Sequence, residues 1–121
     1  MKTTRQRGRH WERMAESFLV RRGLKTLERN FQVRFGEIDL VMLDGETLVF
    51  TEVRFRKSNR HGTGADSVTW AKQRRISSAA RLYLQRNPGE SLRPCRFDVV
   101  SIGNDGGQTR LNWIRNAFDA G

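Results

Sequence analysis

Cys95 is the only thiol in the chain. A lone cysteine excludes an intramolecular disulfide and a cysteine-based zinc site, and it suits a reducing cytoplasm. No apolar run approaches the length of a signal or membrane-spanning segment, and the first ten residues, MKTTRQRGRH, are polar. Repeats and low-complexity tracts are absent. Acid is scarce: 13 Asp and Glu stand against 23 Lys and Arg in 121 residues, a formal net charge of +10. An excess of that size in so short a chain favours a polyanionic partner, nucleic acid first. A membrane surface fits less well, because the basic residues are spread along the chain rather than gathered on one amphipathic helix. The length suffices for one domain with one core.

What is present centres on residues 35–55, FGEIDLVMLDGETLVFTEVRF. Two runs rich in Ile, Leu, Val, Phe and Thr flank Asp44-Gly45, a strong hairpin signal. A turn centred on that dipeptide predicts that Leu43 faces Glu46, Val41 faces Leu48, Asp39 faces Phe50 and Glu37 faces Glu52. Glu37, Asp39, Glu52 and Arg54 then share one face at the end far from the turn, continued by Val41, Leu43, Leu48 and Phe50. Ile38, Leu40, Met42, Val49, Val53 and Phe55 make the other face apolar as well, the mark of a strand pair covered on both sides. Three carboxylates at one end repel one another unless a cation or a shared proton is present. The diagonal Asp39–Glu52 pair, roughly 7 Å apart or less at Cβ, is near enough to hold a hard divalent cation. The plainer alternative is a solvated sheet end where these acids pair with Arg54.

Around that hairpin the chain reads in order. Residues 1–10 carry Lys2, Arg5, Arg7 and Arg9 without an acid, which predicts a flexible basic arm before a single domain over 11–121. Trp11, Met14, Ala15, Phe18, Leu19 and Arg22 have helical spacing, and Gly23 is placed to end that helix. Glu12 and Glu16 lie one turn apart on a neighbouring face, as a solvated pair matched to arginines or, for Glu12, as part of a site. Residues 24–34 predict a first strand. Arg54, Arg56, Lys57 and Arg60 then lead into the loop His61-Gly62-Thr63-Gly64, which lacks the Gly-Lys-Ser/Thr of a phosphate-binding P-loop. His61, without a partner, is read as a loop residue.

Ser67 is expected to cap a helix running to about Arg86, with Ile76, Ala79, Ala80 and Tyr83 as its inner stripe. Lys72 extends that stripe and either snorkels to solvent or points at the carboxylates. Arg74, Arg75, Arg81 and Arg86 suit phosphate contacts. Asn87-Pro88-Gly89 breaks the helix. Residues 96–102 predict a strand in which Asp98 is a fourth carboxylate or a hydrogen-bonded one. A turn over 103–107 and a short strand near 111–114 complete an α/β domain with a mixed sheet and helices on both faces.

Asp39 followed by Glu52-Val53-Arg54 resembles the PD-(D/E)xK nuclease signature. The wider pattern resembles the YraN family: Glu12, Ala15, Leu19, Gly23 and Asn30, then GEIDL at 36–40, FTEVR at 50–54, Lys72, Ala80, Tyr83-Leu84 and RFDVV at 96–100. The resemblance implies a restriction-endonuclease-like three-layer α/β/α fold with a mixed central sheet, similar to archaeal Holliday-junction resolvases. It further implies Mg²⁺ or Mn²⁺ held by Asp39, Glu52 and the Val53 carbonyl, with Glu37 or Glu12 completing or orienting the shell. Arg54, Lys72 and the arginines and lysine at 56, 57, 60, 74 and 75 would hold nucleic acid, with DNA favoured over RNA. Arg54 departs from the motif, which usually carries lysine there; arginine stays protonated and cannot act as a base. The expectation is a metal-dependent nuclease on structured or single-stranded DNA, set against a DNA- or RNA-binding protein that keeps the fold without turnover.

Overall fold

The computed structural model describes residues 4–56 and 68–120. Helix α1 spans Thr4–Arg21, and strands β1 (Lys25–Val33), β2 (Gly36–Asp44) and β3 (Thr47–Arg56) form an antiparallel meander. Helix α2 (Trp70–Arg86) crosses over to β4 (Cys95–Asp105), which runs parallel to β3, and β5 (Gln108–Phe118) closes the sheet antiparallel to β4. The five strands lie in sequence order in one mixed sheet. Among the described residues, no helix is long and apolar enough to cross a membrane.

Each face of the sheet has its own core. Ala15 and Leu19 of α1 pack on Leu40, Met42, Val49, Val100 and Ile102, with Trp11, Met14 and Phe18 around them. Ile76, Ala79, Ala80 and Tyr83 of α2 pack on Val41, Leu48, Phe50, Phe97 and Val99. The helical stripes expected on both helices are therefore the core-facing ones, except that Arg22, expected in the first of them, is exposed just beyond the end of α1. Central strands apolar on both faces are what a sheet sandwiched between two helices requires.

Several expectations change. Residues 4–10, expected in a flexible arm, are the first turns of α1. The cap of α2 is Thr69, whose hydroxyl accepts from the Lys72 N–H at 3.2 Å; Ser67 lies outside the described residues. The last strand is longer than 111–114 and takes in Ala117 and Phe118, which pack on the α2-side core.

The hairpin register also shifts by two. Asp44 pairs with Thr47, Leu43 with Leu48 and Val41 with Phe50, so the two turn residues are Gly45 and Glu46. Gly45 has φ +60°, and a glycine with positive φ belongs at the first position of a tight hairpin turn. A shift of two preserves the faces. Carried one step past the last paired residues, Leu40 and Thr51, it sets Asp39 opposite Glu52 instead of Phe50.

One face assignment fails. Ile38 joins Val41 on the α2 side although the two are three residues apart, so the alternation of β2 breaks between them. The neighbouring strand breaks at the same level: Asn30, between the pairs Arg29–Leu40 and Phe31–Ile38, has φ +52°. A non-glycine residue in the left-handed region re-aims the side chains around it. Gly36, at the start of β2, lies so close to α2 that a Cβ there would come within 2.5 Å of the Arg75 carbonyl oxygen. Only glycine admits that approach, which ties the site end of β2 to the first half of α2.

Candidate active site

Asp39 and Glu52 lie at the end of β2 and β3 remote from the hairpin turn, each only 6% exposed. The Val53 N–H donates to Asp39 Oδ2 at 2.8 Å. Burial is the largest influence on both acids and raises both above the ordinary carboxylate range. Asp39 is held back in part by the Val53 and Glu52 hydrogen bonds. Glu52 is pushed to about 8 by burial and then by the charge of Asp39, against the pull of Lys72 and Arg54. Both shifts run in the direction that favours a proton shared by the pair. Lys72 Nζ stands 3.9 Å from Glu52 Oε1. Of its two expected orientations, it takes the one toward the acids.

The broken alternation of β2 spreads the acids over both sides of the sheet end, where a single face was expected. On the α2 side, Glu37, Lys72 and Arg75 line an open cleft of about 550 Å³ together with Gln32, Arg34 and Phe35. Gln32 donates to Glu37 at 3.2 Å. On the α1 side, Asp39 and Glu12 line a smaller cavity of about 200 Å³ with Arg9, Arg13 and Arg29. Burial, then the charges of Asp39 and Glu37, push Glu12 up to about 7. The side-chain amide of Asn30, turned with its nitrogen toward Glu12, donates to both carboxylate oxygens at 3.0 and 3.1 Å. Glu16, one turn on, is matched to an arginine as expected. Burial raises it, but hydrogen bonds from Arg29 at 2.8 Å and Thr26 at 2.6 Å outweigh that and hold it low.

Arg54 is half-buried on β3 and its charge is felt at Glu52. Val53 contributes its N–H to Asp39 and its side chain to the α1-side core. Arg74 and Arg75 are exposed on α2, and Arg56 ends β3; Lys57, Arg60 and His61 lie outside the described residues. Asp98 is fully buried and hydrogen-bonded, accepting from Arg96, Trp113 and the Asn116 N–H. Among the described residues no three His, Cys, Asp or Glu side chains gather into a ready-made metal cage. Sequence reasoning had not given Asn30 a role in the site. Its signal was there: asparagine is the residue other than glycine that most readily takes positive φ.

The profile of the family described as "Uncharacterised protein family UPF0102" matches residues 11–102, which hold every acid of the site. This chain belongs to the UPF0102 family. A UPF0102 protein of Nitrosococcus oceani is 48% identical over 116 residues, covering 96% of this chain and 94% of that protein. UPF0102 proteins of Pseudomonas aeruginosa PAO1 and Stutzerimonas stutzeri A1501 are each 47% identical over 120 residues, or 98% and 99% of this chain respectively. The match covers 96% of the first of those two and all of the second. UPF0102 membership agrees with the YraN resemblance carried by GEIDL and RFDVV.

Proposed function

We propose that this UPF0102 protein is a cytoplasmic metal-dependent nuclease of the restriction-endonuclease-like fold, acting on structured or single-stranded DNA. The observation that carries the reading is the Asp39–Glu52 pair, two facing buried carboxyls with the Lys72 ammonium 3.9 Å from Glu52. The order of elements supports the fold: a first helix, a three-stranded meander and a crossover helix to a parallel strand, with the acids at the ends of the second and third strands.

The pair fits Mg²⁺ or Mn²⁺. Such hard ions take oxygen ligands, and Mg²⁺ commonly uses only one or two protein carboxylates beside water and substrate phosphate. When bound, the ion supplies Lewis-acid stabilisation of charge on the phosphate. Asp39 and Glu52 would hold it by releasing their shared proton, joined by the Val53 carbonyl. Glu37 and Glu12 would orient that shell from the two sides of the sheet end. Lys72 would turn from Glu52 toward the scissile phosphate. Arg54, always protonated, would stabilise developing negative charge there. The +10 net charge and Arg74 and Arg75 on α2 supply phosphate contacts.

Arg54 in the motif's lysine place favours a second reading, a DNA- or RNA-binding protein without turnover. The deciding experiment is cleavage of branched, single-stranded and duplex DNA with Mg²⁺, Mn²⁺ or EDTA, using the parent chain and Asp39→Asn. The nuclease reading expects metal-stimulated cleavage that the substitution abolishes, with affinity in EDTA equal or higher. Salt-sensitive binding without cleavage selects the second reading, each phosphate contact steepening the log–log salt slope by about 0.9 on duplex. Affinity that ignores salt removes nucleic acid as the partner.

A further inference from the structure

We infer that Phe35 and Trp70 form a base-stacking subsite beside the Asp39–Glu52 pair, so that the strand engaged there is unpaired. The inference rests on the proposed nucleic-acid reading and names its substrate class. Phe35 is 72% exposed and Trp70 69% exposed, the most solvent-facing aromatic residues among those described. The other rings have partners within the fold. Phe31, Phe50, Tyr83, Phe97 and Phe118 contact one another, and Trp11 stacks on Phe55 at 4.3 Å. Neither Phe35 nor Trp70 belongs to either core. Tryptophan is not a strong helix former, so helix formation gives no reason for one at the first position of α2.

Phe35 lies on the cation-rich margin of the site, and Trp70 stands in the first turn of α2 beside Arg74. Phe35 lines the 550 Å³ cleft with Glu37, Lys72 and Arg75. Trp70 begins the helix that carries Lys72 and Arg75 into that cleft. The contact of Gly36 with the Arg75 backbone fixes the Phe35 turn against α2. Trp70 precedes Lys72 by two residues, about 3 Å along the helix axis but on the far side of the helix, so a strand that meets both rings passes over the start of α2. Each ring carries a guanidinium, Arg34 at 5.2 Å from the Phe35 centroid and Arg74 at 4.8 Å from that of Trp70. Arginine beside an exposed aromatic ring is the combination that grips a single strand: the ring stacks a base and the cation meets the backbone. Stacking tolerates any base but needs one whose face is open, which a base inside a duplex is not. Glu37, in the same cleft, is bonded to Gln32 and near Lys72, which limits its repulsion of phosphate.

The test is fluorescence anisotropy in EDTA at fixed salt, with labelled oligothymidylate and a duplex of equal length. The variants are Phe35→Ala, Trp70→Ala and Trp70→Phe. Each alanine variant is expected to weaken single-strand binding between about 5-fold and about 150-fold, the range that one base stack spans. Duplex affinity should stay within about twofold, and Trp70→Phe should keep most single-strand affinity. Equal losses on both probes, no loss on either, or a parent that binds neither overturn the subsite. Cleavage by the parent and Asp39→Asn with Mn²⁺, run in parallel, separates the two readings. Selective single-strand losses without metal-dependent cleavage keep the subsite and reject the nuclease. Cleavage lost in Asp39→Asn, with single-strand preference untouched by the ring variants, does the reverse.

Discussion

Asp98 and Asp39 lie in the same sheet, both nearly out of reach of water, and their surroundings differ. Asp98 accepts from Arg96 Nε at 3.0 Å, from the Trp113 indole at 2.9 Å and from the Asn116 N–H at 2.9 Å. Arg96 is anchored on its other side by Asp44 at 2.8 Å. Asp39 has the Val53 N–H and a second carboxyl, Glu52, which is itself buried. A left-handed asparagine stands beside each group: Asn116, φ +51°, offers its backbone to Asp98, and Asn30, φ +52°, offers its side chain to Glu12 next to Asp39. The first network surrounds its carboxyl with hydrogen-bond donors. The second concentrates acid with fewer donors, an arrangement that favours the protonated form of its carboxyls.

The largest effect expected from that contrast is at Asp98. Asp98→Ala leaves Arg96 held by Asp44 alone and the Trp113 and Asn116 donors without their acceptor, costing on the order of 3 kcal/mol in urea unfolding. A loss below about 1 kcal/mol would show that water replaces the carboxylate and that the two regions do not differ in this way.

Glu52→Gln should act in the opposite direction. Folded-state affinity for protons at Asp39, Glu52 and Glu12 exceeds that of the unfolded chain, so between about pH 5 and pH 8 the folded state binds more protons. Parent stability therefore falls as pH rises through that window, and it is fully present only below the unfolded values. Glu52→Gln removes much of the slope and is expected to be more stable than the parent at pH 8 by on the order of 2 kcal/mol. Melting temperatures across that range check it, and a parent stability that rises with pH contradicts it.

These contrasts were only partly legible in the residues. The hairpin, its two apolar faces, the inner stripe of α2 and the Asp39, Glu52 and Lys72 positions follow from alternation, helical spacing and the family pattern. The register was not, because Asp44-Gly45 reads equally as the turn itself or as a last strand residue followed by a first turn residue. Nor was the break at Asn30 and Asp39, since a single left-handed residue leaves the local composition unchanged. That break brings Glu12 to Asp39 and separates Glu37 from it. Helix α1 begins earlier than its apolar stripe because the residues before Trp11 have no core contact to announce them.

The smallest effect concerns how Lys72 is held. Thr69→Ala removes the hydroxyl that caps α2 at the Lys72 N–H and should cost about 1 kcal/mol. Because the cap sits at the lysine's own backbone, the variant should also flatten the salt dependence of nucleic-acid binding slightly. A cap loss that lowers stability without touching binding would mean that Lys72 is positioned by packing alone.

The most direct measurement is calorimetric titration of Mn²⁺ into the parent and into Asp39→Asn near pH 7, in two buffers of different ionisation enthalpy. The account predicts binding to the parent with release of about one proton, the one shared by Asp39 and Glu52, and loss of both in the variant. No binding to the parent at millimolar Mn²⁺, or equal binding to Asp39→Asn, would contradict it.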